Sequence, residues 1–172
     1  MRLFVAAWPP QDVVARLAAL PRRDVKGLRW TRPDQWHVTL RFLGTVEDED
    51  VGRVAAALAG VPVAGGEAVL GPAVGRFGQR ILHVPVEGLA PAAAAVVAAT
   101  AVFGEPPEDR PFRGHLTLAR VSDRARVDLR PLAGAAMAAS WPLGEITLVA
   151  SRLGSSGARY EIVERFATTF AG

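Results

Sequence analysis

Positions 37–44 read HVTLRFLG, and 78 residues further on (115 − 37) positions 115–120 read HLTLAR. The chain has three histidines, and two of them open the same frame, His-aliphatic-Thr-Leu. In an extended strand, side chains alternate faces with a period of two. His37 and Thr39 therefore share one face, while Val38, Leu40 and Phe42 take the other, apolar one. His115 and Thr117 share a face in the same way, with Leu116 and Leu118 opposite. A chain with eight threonines in 172 residues puts one two places after a given histidine only about 5% of the time. Finding this twice, with aliphatic residues interleaved, marks the pair as a motif.

Outward from the motifs, residues 2–8 read as a strand and 9–20, PPQDVVARLAAL, as an amphipathic helix opened by proline. LRWTRPDQ leads into a strand, WHVTLRFLG, that ends at Gly44. TVEDEDVGRVAAALAG predicts a helix with Thr45 as N-cap and acidic residues in its first turn. A strand near 66–74, a glycine-rich turn GRFGQ and a strand RILHVPV come next, then an alanine-rich helix over 90–103. The proline-rich loop GEPPEDRPFRG delivers the second motif strand. Two strands, GEITLVASRL and RYEIVERFATT, close the chain across a turn GSSGA. Strand, helix and motif strand thus occur twice in order, an architectural repeat. Hairpin-like strands with outer helices predict an α+β class, with residues 1–172 forming a single domain.

Cysteine is absent, which excludes disulfides, thiolate metal sites and a cysteine nucleophile. Pro9 and Pro10 interrupt the opening apolar run before it reaches signal-peptide length. The longest other apolar stretch, 91–103, is far short of the roughly 20 residues a membrane span needs. A cytoplasmic protein with no membrane association is the expectation. Lys26 is the single lysine, so 19 of the 20 basic residues are arginine. Most of that bias reads as the composition of a GC-rich genome, which also inflates alanine, and the remainder as phosphate recognition.

Two imidazoles and two hydroxyls converging across a cleft suit in-line displacement at phosphorus. One neutral imidazole takes a proton from attacking water, and one imidazolium protonates the leaving oxygen. An unperturbed pKa of about 6.5 populates both forms near neutrality. The hydroxyls donate to the non-bridging oxygens, where charge accumulates. None of these steps requires a metal or another cofactor.

The chain resembles the two-histidine phosphoesterase superfamily, whose signature is a pair of H-x-[ST]-x motifs. Within it, it is most similar to the RNA 2′,3′-cyclic phosphodiesterases, also called 2′-5′ RNA ligases. RLFVAAWPP, WTRPDQWHVTLRFLG, FRGHLTLARV and SRLGSSGARYEIVERF carry the match nearly end to end, while 60–105 matches by pattern alone. The resemblance implies a bilobal fold, two pseudo-twofold-related antiparallel sheets with outer helices around a central groove. It implies an acid/base pair in His37 and His115, with Thr39 and Thr117 holding phosphate. It also implies that His115 activates water and His37 protonates the 3′ oxygen. The residues alone leave that direction open, because a substrate bound in reverse swaps the roles.

Arg120 matches a family position for a phosphate contact, yet strict alternation turns it away from His115 unless the strand twists or ends. Arg41 has the parity of His37 and is a candidate nucleotide contact or a solvated charge. Trp36, Phe42, Phe112 and Arg113 are candidates for stacking a base, Phe42 against its core-face parity. His83, followed by Pro85 where a threonine would stand, reads as structural. EDED at 47–50 reads as a helix start rather than a metal site, and GPAVGRFG lacks the G-K-[ST] of a nucleotide-binding loop, so no ATP site is visible. Expected partners are RNA ends or nucleotides bearing a cyclic phosphate, acted on by a monomer. The alternatives are a 2′-5′ phosphodiesterase and ATP-independent ligase on the same site, or a non-catalytic RNA-end or cyclic-nucleotide binder.

Overall fold

A computed structural model describes residues 1–154 and 157–169. Among them ten strands and three α-helices follow in the order β1 (Arg2–Ala7), α1 (Gln11–Ala18), β2 (Leu28–Trp30), β3 (Val38–Thr45), α2 (Val51–Ala59), β4 (Glu67–Leu70), β5 (Gly75–Phe77), β6 (Ile81–Glu87), α3 (Ala90–Thr100), β7 (His115–Val121), β8 (Ala139–Pro142), β9 (Glu145–Gly154) and β10 (Gly157–Ala167). The class is α+β. The strands pair antiparallel in the path β10-β9-β1-β3-β7-β6-β4-β8, with β2 beside β7 and β5 beside β6.

The two halves of this path meet at one residue pair, Val38 opposite Leu116. These are the interleaved residues of the two His-x-Thr frames, so a local twofold axis passes between them. It relates β3 to β7, β1 to β6, β9 to β4 and β10 to β8. The halves interleave in sequence, because β1, β3, β9 and β10 form one of them and β4, β6, β7 and β8 the other. β1 and β9 lie inside the sheet and are buried on both faces, which explains the unbroken apolar run at 3–7 and the run at 146–150 that only the buried Thr147 interrupts. Burying each Leu, Val or Ile there contributes about 1.5–3 kcal/mol. α3 packs on β3 and α2 through Ala92, Ala93 and Val96. No helix among the described residues is long and apolar enough to cross a membrane.

Two local expectations are corrected, and one strand was missed. Thr45 is not an N-cap; it is the last residue of β3, and Asp48–Asp50 form a 3-10 turn ahead of α2. Two of those carboxylates are held elsewhere, Asp48 by the N-terminal ammonium at 3.2 Å and Asp50 by Arg53 at 2.6 Å. The first three residues of GRFGQ form β5, and the turn is confined to 78–80. β8 was not legible: it is four residues long, ends in Pro142 and lies on the sheet edge, where proline is tolerated. Ser155 and Ser156 of the GSSGA turn lie outside the described residues.

Candidate active site

Each motif begins where the chain enters the central strand pair. His37 directly precedes β3, after a 3-10 turn at Pro33–Gln35, and His115 is the first residue of β7. His37 Nδ1 lies 2.7 Å from the Gln35 carbonyl, and His115 Nδ1 lies 2.8 Å from the Arg113 carbonyl. A carbonyl can only accept, so each Nδ1 carries a proton and each neutral ring presents a bare Nε2. His37 Nε2 is 3.1 Å from Thr39 Oγ1. Gly114 permits the second entry, since a Cβ there would sit 2.2 Å from the Val86 carbonyl of β6.

Two β-bulges decide what joins the histidines. In the β1–β3 ladder Val5 faces Arg41 and Ala6 faces Thr39, leaving Leu40 as the extra residue. In the β6–β7 ladder Leu82 faces Ala119 and His83 faces Thr117, leaving Leu118 extra. These positions are again 78 apart (118 − 40). A bulge reverses the alternation beyond it. Arg120 therefore swings onto the face of His115 and Thr117, and Phe42 onto the face of His37 and Thr39. Arg41 swings the other way.

The expected parity of Arg41 and Phe42 is thus overturned. Arg41 is buried, 5% exposed, and its guanidinium donates to the carbonyls of Val97, Phe103 and Glu105 at 3.0–3.3 Å. It clamps the C-terminal turn of α3 and the following loop onto β3, where a cation also complements the helix dipole. Phe42 is exposed in the site, with the Arg2 guanidinium 4.9 Å from its ring centre. Trp36 is no base platform either: it is 1% exposed and donates its indole N–H to Thr31 Oγ1 at 3.0 Å. Arg113 is exposed, with its guanidinium 5.1 Å from the Phe77 ring centre, and Phe112 packs partly into the core.

His37, His115, Thr39, Thr117 and Arg120 line one cavity of about 310 Å³, with Tyr160 and Phe42 on its wall. A cavity of about 860 Å³ adjoins it, sharing Thr39, Phe42 and His115 and bringing in Arg76, Phe77, Arg110 and Arg113. The two histidines differ in their surroundings. His37 sits among Phe4, Trp8 and Tyr160, with ring centres 4.8, 5.2 and 5.2 Å away. Trp8 is held in turn by its N–H bond to Thr147 Oγ1 at 2.7 Å. Burial pushes the His37 pKa down to about 4, the Arg120 and His115 charges add to this, and the Gln35 carbonyl opposes it. His115 is lowered too, by burial and by Arg120, Arg110 and Arg113, against the Arg113 carbonyl. Both rings are therefore neutral at pH 7. A phosphate anion arriving there would favour protonating one of them.

His83 is 6% exposed, stacks on Phe77 at 3.8 Å and meets His115 edge-on at 5.7 Å. Sequence reasoning assigned no role to Phe4, Trp8, Gln35, Thr31 or Tyr160. Two signals were available. Phe4, Ala6 and Trp8 share a strand parity, and the motifs are preceded by RPDQWHVT and RPFRGHLT, an Arg-Pro at the same distance from each histidine. Among the described residues, no group of three or more His, Asp or Glu side chains could hold a metal ion.

Residues 7–69 match the family model described as LigT like Phosphoesterase. A comparison with curated protein sequences returned no match. Among solved structures, TT0787 of Thermus thermophilus is 30% identical, with a TM-score of 0.79 and 97% of each chain covered. A protein described as a phosphoesterase is 26% identical (TM-score 0.79), and E. coli LigT complexed with 3′-AMP is 25% identical (TM-score 0.78), each with 98% of both chains covered. With paired His-x-Thr frames on either side of a twofold strand contact, and this likeness over the whole chain, the protein belongs to the LigT-like phosphoesterases of the two-histidine superfamily.

Proposed function

We propose that the protein hydrolyses 2′,3′-cyclic phosphates on RNA ends or nucleotides, without a metal, to give a 2′-phosphate. The observation that carries this reading is the twofold placement of two imidazoles, each tied through Nδ1 to a backbone carbonyl and both lining one cavity of about 310 Å³. Water attacks phosphorus opposite the 3′ oxygen. His115 Nε2 takes the water proton as the new P–O bond forms. The P–O3′ bond breaks, and protonated His37 delivers its Nε2 proton to the departing 3′ oxygen. Thr39, Thr117 and Arg120 hold the non-bridging oxygens. The histidines end with exchanged protonation states and reset through solvent. Each proton transfer contributes ~10²–10⁴-fold.

His115 lines both cavities, which opens it to water from the larger one and favours it as the base. His37, held near 4 by its aromatic enclosure, takes up its proton as the phosphate anion arrives. Arginine over Phe42 and over Phe77 supplies platforms for nucleobases. The LigT complex with 3′-AMP supports a nucleotide partner. The larger cavity also supports a second reading, a 2′-5′ linkage whose second nucleoside would occupy it, with ligation as the ATP-independent reversal. We take residues 1–172 as a single domain of two interleaved lobes acting as a monomer on cytoplasmic RNA.

A short RNA ending in a 2′,3′-cyclic phosphate, incubated in excess EDTA with wild type, His37→Ala and His115→Ala, tests the proposal. A 2′-phosphate from wild type alone is expected. A 3′-phosphate would reverse the histidine roles, and no turnover by wild type would refute the hydrolase reading.

A further inference from the structure

The bulge that turns Arg120 into the site lies on the part of β7 with least support. On the edge facing β2 and β3, β3 pairs only at Leu116, and β2 pairs only with Ala119, Arg120 and Val121. Between them neither β2 nor β3 registers against Thr117 or Leu118, and a bulge without a neighbouring strand on one edge is loosely held. Arg29 of β2 stands directly opposite Arg120, and like charges so placed push the two strands apart.

One residue fills this gap. The Thr31 amide donates to the Leu118 carbonyl at 2.8 Å. Its hydroxyl lies 2.8 Å from both the Thr117 and the Leu118 carbonyls. The buried Trp36 indole N–H donates to the same oxygen at 3.0 Å, which leaves the hydroxyl proton directed at the two carbonyls. The twofold-related bulge at Leu40 has no such clasp. Position 109 (31 + 78) is an aspartate, and among the described residues its side chain makes no hydrogen bond to that bulge. The Leu40 bulge therefore forms without such a clasp, whereas the bulge that turns Arg120 into the site has one.

We propose that Thr31 is a positioning residue, clasping the β7 bulge so that Arg120 and Thr117 are held against the phosphate cavity. The inference rests on the phosphate-binding reading of that cavity. Thr31→Val keeps the shape and the amide bond but removes the hydroxyl. Thr31→Ser keeps the hydroxyl.

The test measures kcat/KM on a 2′,3′-cyclic mononucleotide together with the affinity for inorganic phosphate, followed through the histidine imidazole NMR signals. Thr31→Val is expected to lose about tenfold in both. Thr31→Ser should recover to within about twofold, and in an Arg120→Ala background Thr31→Val should change phosphate affinity less than about twofold. Unchanged phosphate affinity in Thr31→Val overturns the proposal, even if turnover falls through a smaller folded fraction. Full multiplication of the two losses in the double variant, or no rescue by serine, overturns it as well. A wild type that binds phosphate but does not turn over refutes the hydrolase reading and leaves the clasp tested by affinity alone. A wild type that does neither refutes both.

Discussion

Lowering the pH from 7 to 4 titrates histidines that this fold holds neutral. His37 and His83 are each pushed down to about 4, chiefly by burial, from the 6.5 of an unfolded chain. Between those values the unfolded chain takes up protons that the folded protein refuses. The stability present above pH 6.5 is therefore lost as the pH falls, and the loss levels off once the folded protein also protonates near 4. The gap corresponds to about 3 kcal/mol per histidine, so about 6 kcal/mol is the ceiling for the pair. That is comparable to the whole stability of a typical domain. Asp34 and Asp128 have their pKa values lowered from 3.8, so their contribution appears below this window. Urea unfolding at pH 7, 6, 5 and 4.5 is the assay, with a slope of about 1.4 kcal/mol per pH unit for each extra proton. His83→Phe keeps a ring against Phe77 but binds no proton, so its slope should fall by one proton's share. Flat stability from pH 6.5 to 4.5, or an unchanged slope in His83→Phe, would refute the argument.

Arg120 lowers the pKa of both His37 and His115. Arg120→Ala should therefore move both limbs of the kcat/KM pH profile upward and weaken phosphate inhibition about tenfold or more; limbs that stay in place would put Arg120 outside the field of both rings. Tyr160→Ala opens the aromatic enclosure of His37, whose pKa should rise toward 6.5 in an NMR titration while that of His115 moves much less. Arg41→Met leaves three carbonyls without their donor and should lower stability by about 3 kcal/mol, with kcat within about threefold for the folded fraction. Weaker nucleotide binding at unchanged melting temperature would instead make Arg41 a substrate contact.

The site was legible in the sequence where it depends on periodicity and illegible where it depends on a partner strand. His37, Thr39, His115 and Thr117 lie before the bulges, so counting by twos placed them correctly relative to one another. Beyond Leu40 and Leu118 the same counting fails, because a bulge arises from how β1 and β6 register against β3 and β7. That is why Arg41 and Phe42 exchanged faces, and why Arg120 needed a twist that sequence alone could only require. Trp36 looked like a free aromatic beside a histidine. Only the crossing of Thr31 over β7 shows its indole to be part of a buried hydrogen-bond chain. β8 escaped notice because a four-residue edge strand ending in proline has no period to detect.

The single ladder pair of Val38 and Leu116 has a consequence for stereochemistry. The in-line transition state possesses a twofold axis of its own, along the bond from phosphorus to the ester oxygen that stays, which exchanges the entering and leaving oxygens and the two non-bridging oxygens. In the proposed reaction, aligning it with the protein's axis gives each apical oxygen an imidazole and each non-bridging oxygen a threonine. The entering and leaving positions of an in-line reaction are then images of each other, so hydrolysis and its reversal traverse one arrangement in opposite senses. Arg120, whose counterpart across the axis is Phe42, breaks the equivalence of the non-bridging oxygens. Sulfur substituted for one of them should be tolerated differently from sulfur substituted for the other, and that preference should vanish with the Arg120 guanidinium.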